Sequence, residues 1–208
     1  MEYSWQDFKL YGLRGIILNM CESEKDILYR KKLEKQLIEA HGKVEYTYTA
    51  HHKIENRIII YDKVIRILQI VLTAISTGGF LATIITNQSV LSWIGGIAAA
   101  LSLAINLYSK DFKLQTDARA HKDAADELWD IREDYVSLIT DLDSMTLDEI
   151  KNKRDFLKAA VSKINKKYPG TDRRGYKQAQ KALKEEEEQT FNEGEAEMLL
   201  PTSLRNKE

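Results

Sequence analysis

Between Arg66 and Lys110 the chain runs for 43 residues without a charge. Apolar residues in this stretch form two blocks, 67–86 and 90–108, parted by the polar run Asn87, Gln88 and Ser89. A membrane-spanning helix needs about 20 apolar residues, so the stretch holds two spans and a very short turn. A buried soluble hairpin is the weaker reading, because a core helix rarely loses charge on every face over such a length. Within the first block Gln69, Thr73, Ser76, Phe80, Thr83 and Asn87 recur at spacings of 4 and 3, which aligns them on one helix face. Gly95, Ala99, Ser102 and Asn106 do the same on the second. Each span thus carries a stripe of small or polar residues, open to two readings. The stripes pack helix against helix, or one of them faces water in a pore. A single hairpin is too thin to enclose a channel, so any pore requires a homo-oligomer.

Beyond the second span, residues 111–143 contain no Gly or Pro. Leu114, Ala118, His121, Ala125, Leu128, Arg132, Tyr135, Ile139 and Leu142 recur there as a heptad seam. The second span is therefore expected to continue inward as one helix to about residue 142. Before the first span, Tyr46, Tyr48, His51, Ile54, Ile58 and Tyr61 form a looser helical pattern, and Gly42 marks an expected break or tight contact. Thr146 and Glu149 form a capping box ahead of a helix over 147–167, and Asp172 caps another from Arg173 to about Glu188. The predicted class is an all-α integral membrane protein, a two-helix transmembrane hairpin continued into a cytoplasmic helical stalk with further C-terminal helices. Its parts are an N-terminal segment (1–23) that docks on the stalk or lies at the membrane surface, cytoplasmic helices (24–66), the first span (67–86), an external turn (87–89), the second span (90–108), the stalk helix (109–143), C-terminal helices (144–188) and a tail (189–208). With the turn centred on Gln88, residues facing each other across the two arms should have numbers summing to about 176. This pairs Glu55 with His121, Arg57 with Asp117 or Arg119, Glu45 with Arg132, and Tyr46 or Tyr48 with Trp129. The ion pairs, taken as exposed, are expected to matter less than the aromatic contacts.

Charge fixes the orientation. The fifteen residues before the first span and the fifteen after the second each contain four Lys or Arg, and the turn contains none, which puts both termini in the cytoplasm of a multi-pass inner-membrane protein. The N-terminus has no signal-peptide pattern. Overall the chain is near neutral, 31 basic against 32 acidic residues, and no segment is basic enough for a nucleic-acid surface, so no direct nucleic-acid binding is expected. Cys21 stands alone and predicts no intrachain disulfide. The four histidines form no metal-ligand spacing, and no phosphate-binding loop or nucleophile motif occurs. No catalytic residue, cofactor or metal is assigned, and an enzyme is not expected. A pH or metal site between His51 and His121 is the lesser reading beside a stalk histidine bonded to a neighbour.

The block AHKDAADELWDIREDYVSLITDL, residues 120–142, resembles the SLATT family, the SMODS- and SLOG-associating two-transmembrane effector domains of bacterial conflict systems. The similarity extends to VEYTYTAHHKIENR (44–57) and YPGTDRRGYKQAQKALK (168–184), and the branch it most resembles is encoded beside reverse transcriptases. The residues carrying it include His51, His121, Trp129, Arg132, Tyr135 and Asp141. The resemblance implies a membrane effector that perforates or disrupts the inner membrane when a partner detects infection, giving abortive cell death. The implied partners are membrane lipid, further copies of the chain, and a neighbouring reverse-transcriptase or nucleotide second-messenger synthetase system. The alternative is a membrane-anchored scaffold whose cytoplasmic helices recruit a partner without permeabilising the bilayer.

Overall fold

The computed structural model describes the backbone of residues 5–111, 113–202 and 205, and side chains of 24–110, 113–202 and 205. Six α-helices follow one another: α1 (Trp5–Thr86), α2 (Ser89–Asp111), α3 (Leu114–Thr140), α4 (Leu147–Lys167), α5 (Arg173–Lys184) and the short α6 (Glu195–Met198). A 3-10 turn, Leu142–Ser144, joins α3 to α4, and no strand occurs among the described residues. Gly42 lies inside α1, with nothing within 4 Å of the place its Cβ would take, so it is neither a break nor a tight contact. The docking expected of residues 1–23 lies outside the described residues. The single helix expected from 90 to 142 is assigned as α2 and α3, with Lys113 non-helical between them and Phe112 outside the described residues.

The chain divides into two compact units, and α1 and α3 contribute to both. The first comprises residues 1–48 and 126–169. Its core joins three helices through Leu33, Leu37 and Val44 of α1, Leu128, Ile131 and Leu138 of α3, and Ile150, Leu157 and Ile164 of α4. The seven-residue spacing on α4 keeps one face inward over about four turns, and each such side chain contributes roughly 2 kcal/mol by leaving water. On α3 the buried face includes Ala124, Ile131 and Leu138 beside the predicted seam, while Ile139 is only half-buried. A face contacting two neighbours is wider than a two-helix seam. The capping box is present: the Thr146 hydroxyl accepts from the Glu149 amide, and the Glu149 carboxylate accepts from the Thr146 amide at 2.8 Å. Arg30 fixes the 3-10 turn by donating to the carbonyls of Leu142 at 2.5 Å and Met145 at 2.8 Å.

The second unit comprises residues 49–125 and 170–208. The polar turn of the hairpin is two residues long, because Ser89 already opens α2. Asn87 adopts φ 56°, the left-handed conformation that terminates helices and that Asn tolerates better than most residues. Next to the apolar hairpin, the unit closes largely on alanines around Ile54 of α1: Ala50 of α1, Ala118, Ala124 and Ala125 of α3, Ala179 and Ala182 of α5. Gly175 permits this approach, since a Cβ there would stand 2.5 Å from Ile54 Cγ1. Asp172 caps α5 by accepting from the Gly175 amide at 2.6 Å. The helix stops at Lys184 rather than near Glu188, as four successive acids at a helix C-terminus oppose its dipole. Within the acid run Glu185, Glu186 and Glu187 are exposed; Glu188 pairs with Lys53 at 2.6 Å and Glu186 with Lys181 at 2.6 Å.

Candidate functional site

Three clusters hold most of the residues singled out by sequence. In the hairpin, the two stripes meet each other. Gln69 Nε2 donates to Asn106 Oδ1 at 3.0 Å, the hydroxyls of Thr73 and Ser102 lie 3.3 Å apart, and Ser92 Oγ donates to Thr83 Oγ1 at 3.0 Å. Backbones come closest where glycine replaces a side chain. A Cβ on Gly95 would lie 3.0 Å from the Ser76 carbonyl oxygen, and one on Gly79 would lie 3.0 Å from the Leu91 carbonyl. Ala98 is buried beside this crossing, whereas Ala99 is half-buried. The stripe as read from Gly95 onward missed Ser92, which lies one further step of three back along the same spacing and whose hydroxyl pairs across the helices.

In the same unit, His51 and His121 are buried, their rings 4.9 Å apart and their Nδ1 atoms 2.8 Å apart. One ring must donate and the other accept, so the pair holds opposite tautomers. Burial lowers the His51 pKa to about 4, with the neighbouring His121 and His52 adding to the effect. Burial also lowers that of His121, against Asp117, Asp172 and Glu55. Glu55 therefore acts on His121 through space, and the hydrogen bond goes to His51 one turn earlier than the register proposed. Arg57 pairs with Asp172 rather than with Asp117 and reaches Gln178 Oε1 at 3.4 Å. Asp172 is held below the ordinary carboxylate range by the Gly175 amide first and, against its partial burial, by the Arg57 guanidinium.

The first unit holds the third cluster. Arg132 bonds Glu45 and Glu133 and lies 4.7 Å from the centroid of the Trp129 ring. Trp129 in turn stands 5.2 Å from Tyr48. Partial burial opposes the charge on Arg132, yet the two carboxylates raise its pKa. The ion pair is the better enclosed part of the cluster: the side chains of Arg132 and Glu45 are 17% and 13% exposed, whereas Trp129 as a whole residue is 38% exposed. Tyr135 is buried, which raises its phenol pKa. It lines a groove of about 280 Å³ beside Lys43, Arg154 and Lys158. Asp141 is exposed and joins none of these clusters; its carbonyl accepts from Ser144 in the 3-10 turn. Sequence reasoning also missed the tie between Tyr168, whose hydroxyl donates to Glu127 at 2.7 Å, and α3.

Together the helices define an all-helical protein with two helices long and apolar enough to cross a membrane, each with a mean hydropathy of 1.8 over its most apolar 18 residues. Residues 33–195 match the SMODS and SLOG-associating 2TM effector domain family 4, and the chain belongs to that family. It is accordingly a membrane effector-domain protein, and the family description names no reaction. No curated protein and no solved structure matches the chain.

Proposed function

We propose that the chain is an effector of a bacterial antiphage conflict system, anchored in the inner membrane as a hairpin with both termini in the cytoplasm. On activation it assembles with further copies and forms a pore or disrupts the bilayer, so that the infected cell dies. The trigger is a partner encoded nearby, a reverse transcriptase or a nucleotide second-messenger synthetase. Family membership over 33–195 carries this reading. The apolar helices support it: no residue of the most apolar α1 window is buried against the protein itself, and Ile84, Ile85 and Trp93 are 80%, 82% and 74% exposed. Roughly a score of such side chains left in water would cost tens of kcal/mol, which lipid removes. The eight basic residues flanking the spans support the orientation.

One observation favours the second reading, a scaffold that recruits a partner and permeabilises nothing. The stripe residues Gln69, Thr73, Thr83, Ser102 and Asn106 spend their hydrogen bonds inside the hairpin, so a water-filled path requires the hairpin to rearrange. Membrane potential and thiol access separate the two. Under the effector reading, forced expression depolarises cells, and single cysteines at Thr73, Ser76, Thr83, Ser102 or Asn106 in a Cys21→Ser background include positions labelled by polar thiol reagents. Toxicity with an intact potential and no labelled position would leave only the scaffold.

A further inference from the structure

We infer that the first turn of α5 is a docking site for anionic lipid headgroups of the cytoplasmic leaflet, an inference that rests on the membrane hairpin proposed above. The segment TDRRGYK belongs to the stretch that carries the family resemblance, but nothing in the effector reading uses it. Within its unit, α5 runs antiparallel to α1: Arg174 donates to the Tyr61 hydroxyl at 3.0 Å near the start of α5, and Glu188, beyond its end, pairs with Lys53. The N-terminus of α5 is therefore its membrane-proximal end. Tyr61 precedes the first span by six residues, about 9 Å of helix, which is close to one Debye length at physiological salt.

Arg173, Arg174 and Lys177 are exposed and frame one open depression that no acid lines. Arg173 and Lys177 pair with no acid among the described residues, and Arg174 spends one donor on Tyr61. The adjacent carboxylate, Asp172, is already taken by Arg57 and the Gly175 amide. α5 has no acid in its first turn, so these cations sit at the positive end of the helix dipole, where local rules disfavour them. A lipid phosphate would offset both the dipole and the cations. The turn is also held rigidly in place, since Gly175 lies against Ile54 and Asp172 is tied to Arg57. These three cations lie over a hundred residues along the chain from Tyr61, and the charge count around the spans omits them. They join Lys63, Arg66 and Lys110 at the same membrane face.

The full chain reconstituted into phosphatidylcholine nanodiscs, with or without a quarter phosphatidylglycerol, tests the site through amide hydrogen exchange of residues 173–184. Exchange should slow in the anionic discs, and 0.5 M salt should abolish the difference. The double variant Arg173→Gln/Lys177→Gln, which breaks no intramolecular bond, should reduce co-purified phosphatidylglycerol about fivefold per cation removed. Equal exchange in both discs, or equal protection by inorganic phosphate in neutral discs, would overturn the lipid site. Carbonate extraction reads the hairpin separately: a protein that stays in the membrane while α5 ignores lipid charge refutes only this inference, whereas a protein released by carbonate refutes both.

Discussion

Two imidazoles that meet Nδ1 to Nδ1 at 2.8 Å can share only one proton, which sets the sign of a pH effect. The folded His51 pKa of about 4, lowered first by burial and then by His121 and His52, lies below the ordinary 6.5. Between these values the unfolded chain binds the extra proton and the folded one does not. Stability is therefore full above pH 6.5 and is lost as pH falls toward 4, by about 3 kcal/mol for the whole shift. Thermal unfolding in detergent followed from pH 7 to 4.5 should show this decline, and His51→Gln should flatten it. At Arg132, burial reverses an expectation. The Glu45 pair was expected to be exposed and dispensable, but it is more enclosed than Trp129. Glu45→Ala should cost about 1 to 3 kcal/mol by uncovering a half-buried cation, no less than Trp129→Ala, as measured by denaturant unfolding. The pairing itself was legible because the residue numbers 45 and 132 sum to nearly the value that the turn centre sets. Burial was not, because enclosure depends on tertiary packing that no local pattern encodes.

At the scale of the element, the two apolar helices, the turn between them and the α4 cap could be read from charge gaps and capping residues alone. Those signals are local, and each is tied to a backbone requirement. The glycines could not be read that way, because neighbours in sequence have opposite surroundings. Gly79 and Gly95 meet backbone at the helix crossing, whereas Gly78 and Gly96 have nothing within 4 Å. Gly79→Leu should therefore force the helices apart, at a cost of roughly 3 kcal/mol, while Gly78→Leu should be accepted on the outer face. The proximity of Thr83 and Ser92 supplies the measurement. In a Cys21-free protein, Thr83→Cys/Ser92→Cys should form an intramolecular disulfide that Gly79→Leu suppresses and Gly78→Leu leaves intact. The end of α5 also escaped prediction, although the four acids that oppose its dipole stand in the sequence directly after Lys184.

For the whole molecule, the hairpin register followed from one number, the turn centre. Residues 69 and 106, 73 and 102, 83 and 92, and 45 and 132 each sum to 175 or 177, close to the expected 176, whereas 51 and 121 fall four short. The place of α5 had no such rule, since Arg57–Asp172 joins residues over a hundred apart. The register has a consequence for function. Each polar pair across the hairpin contributes about 0.6 to 2 kcal/mol in lipid, so the three pairs hold the hairpin together by a few kcal/mol, and under the proposed effector reading activation exchanges them for water or for a neighbouring copy. Replacing one pair by apolar residues, Gln69→Leu with Asn106→Leu, removes this bond but also removes the groups that would solvate an open path. Under the effector reading the double variant should insert normally, judged by carbonate extraction, and depolarise cells at least tenfold less than the unmodified chain at equal expression. Unchanged depolarisation would show that the Gln69 and Asn106 positions do not line the water path. Wild-type cells that die without depolarising would instead assign the hairpin to anchorage.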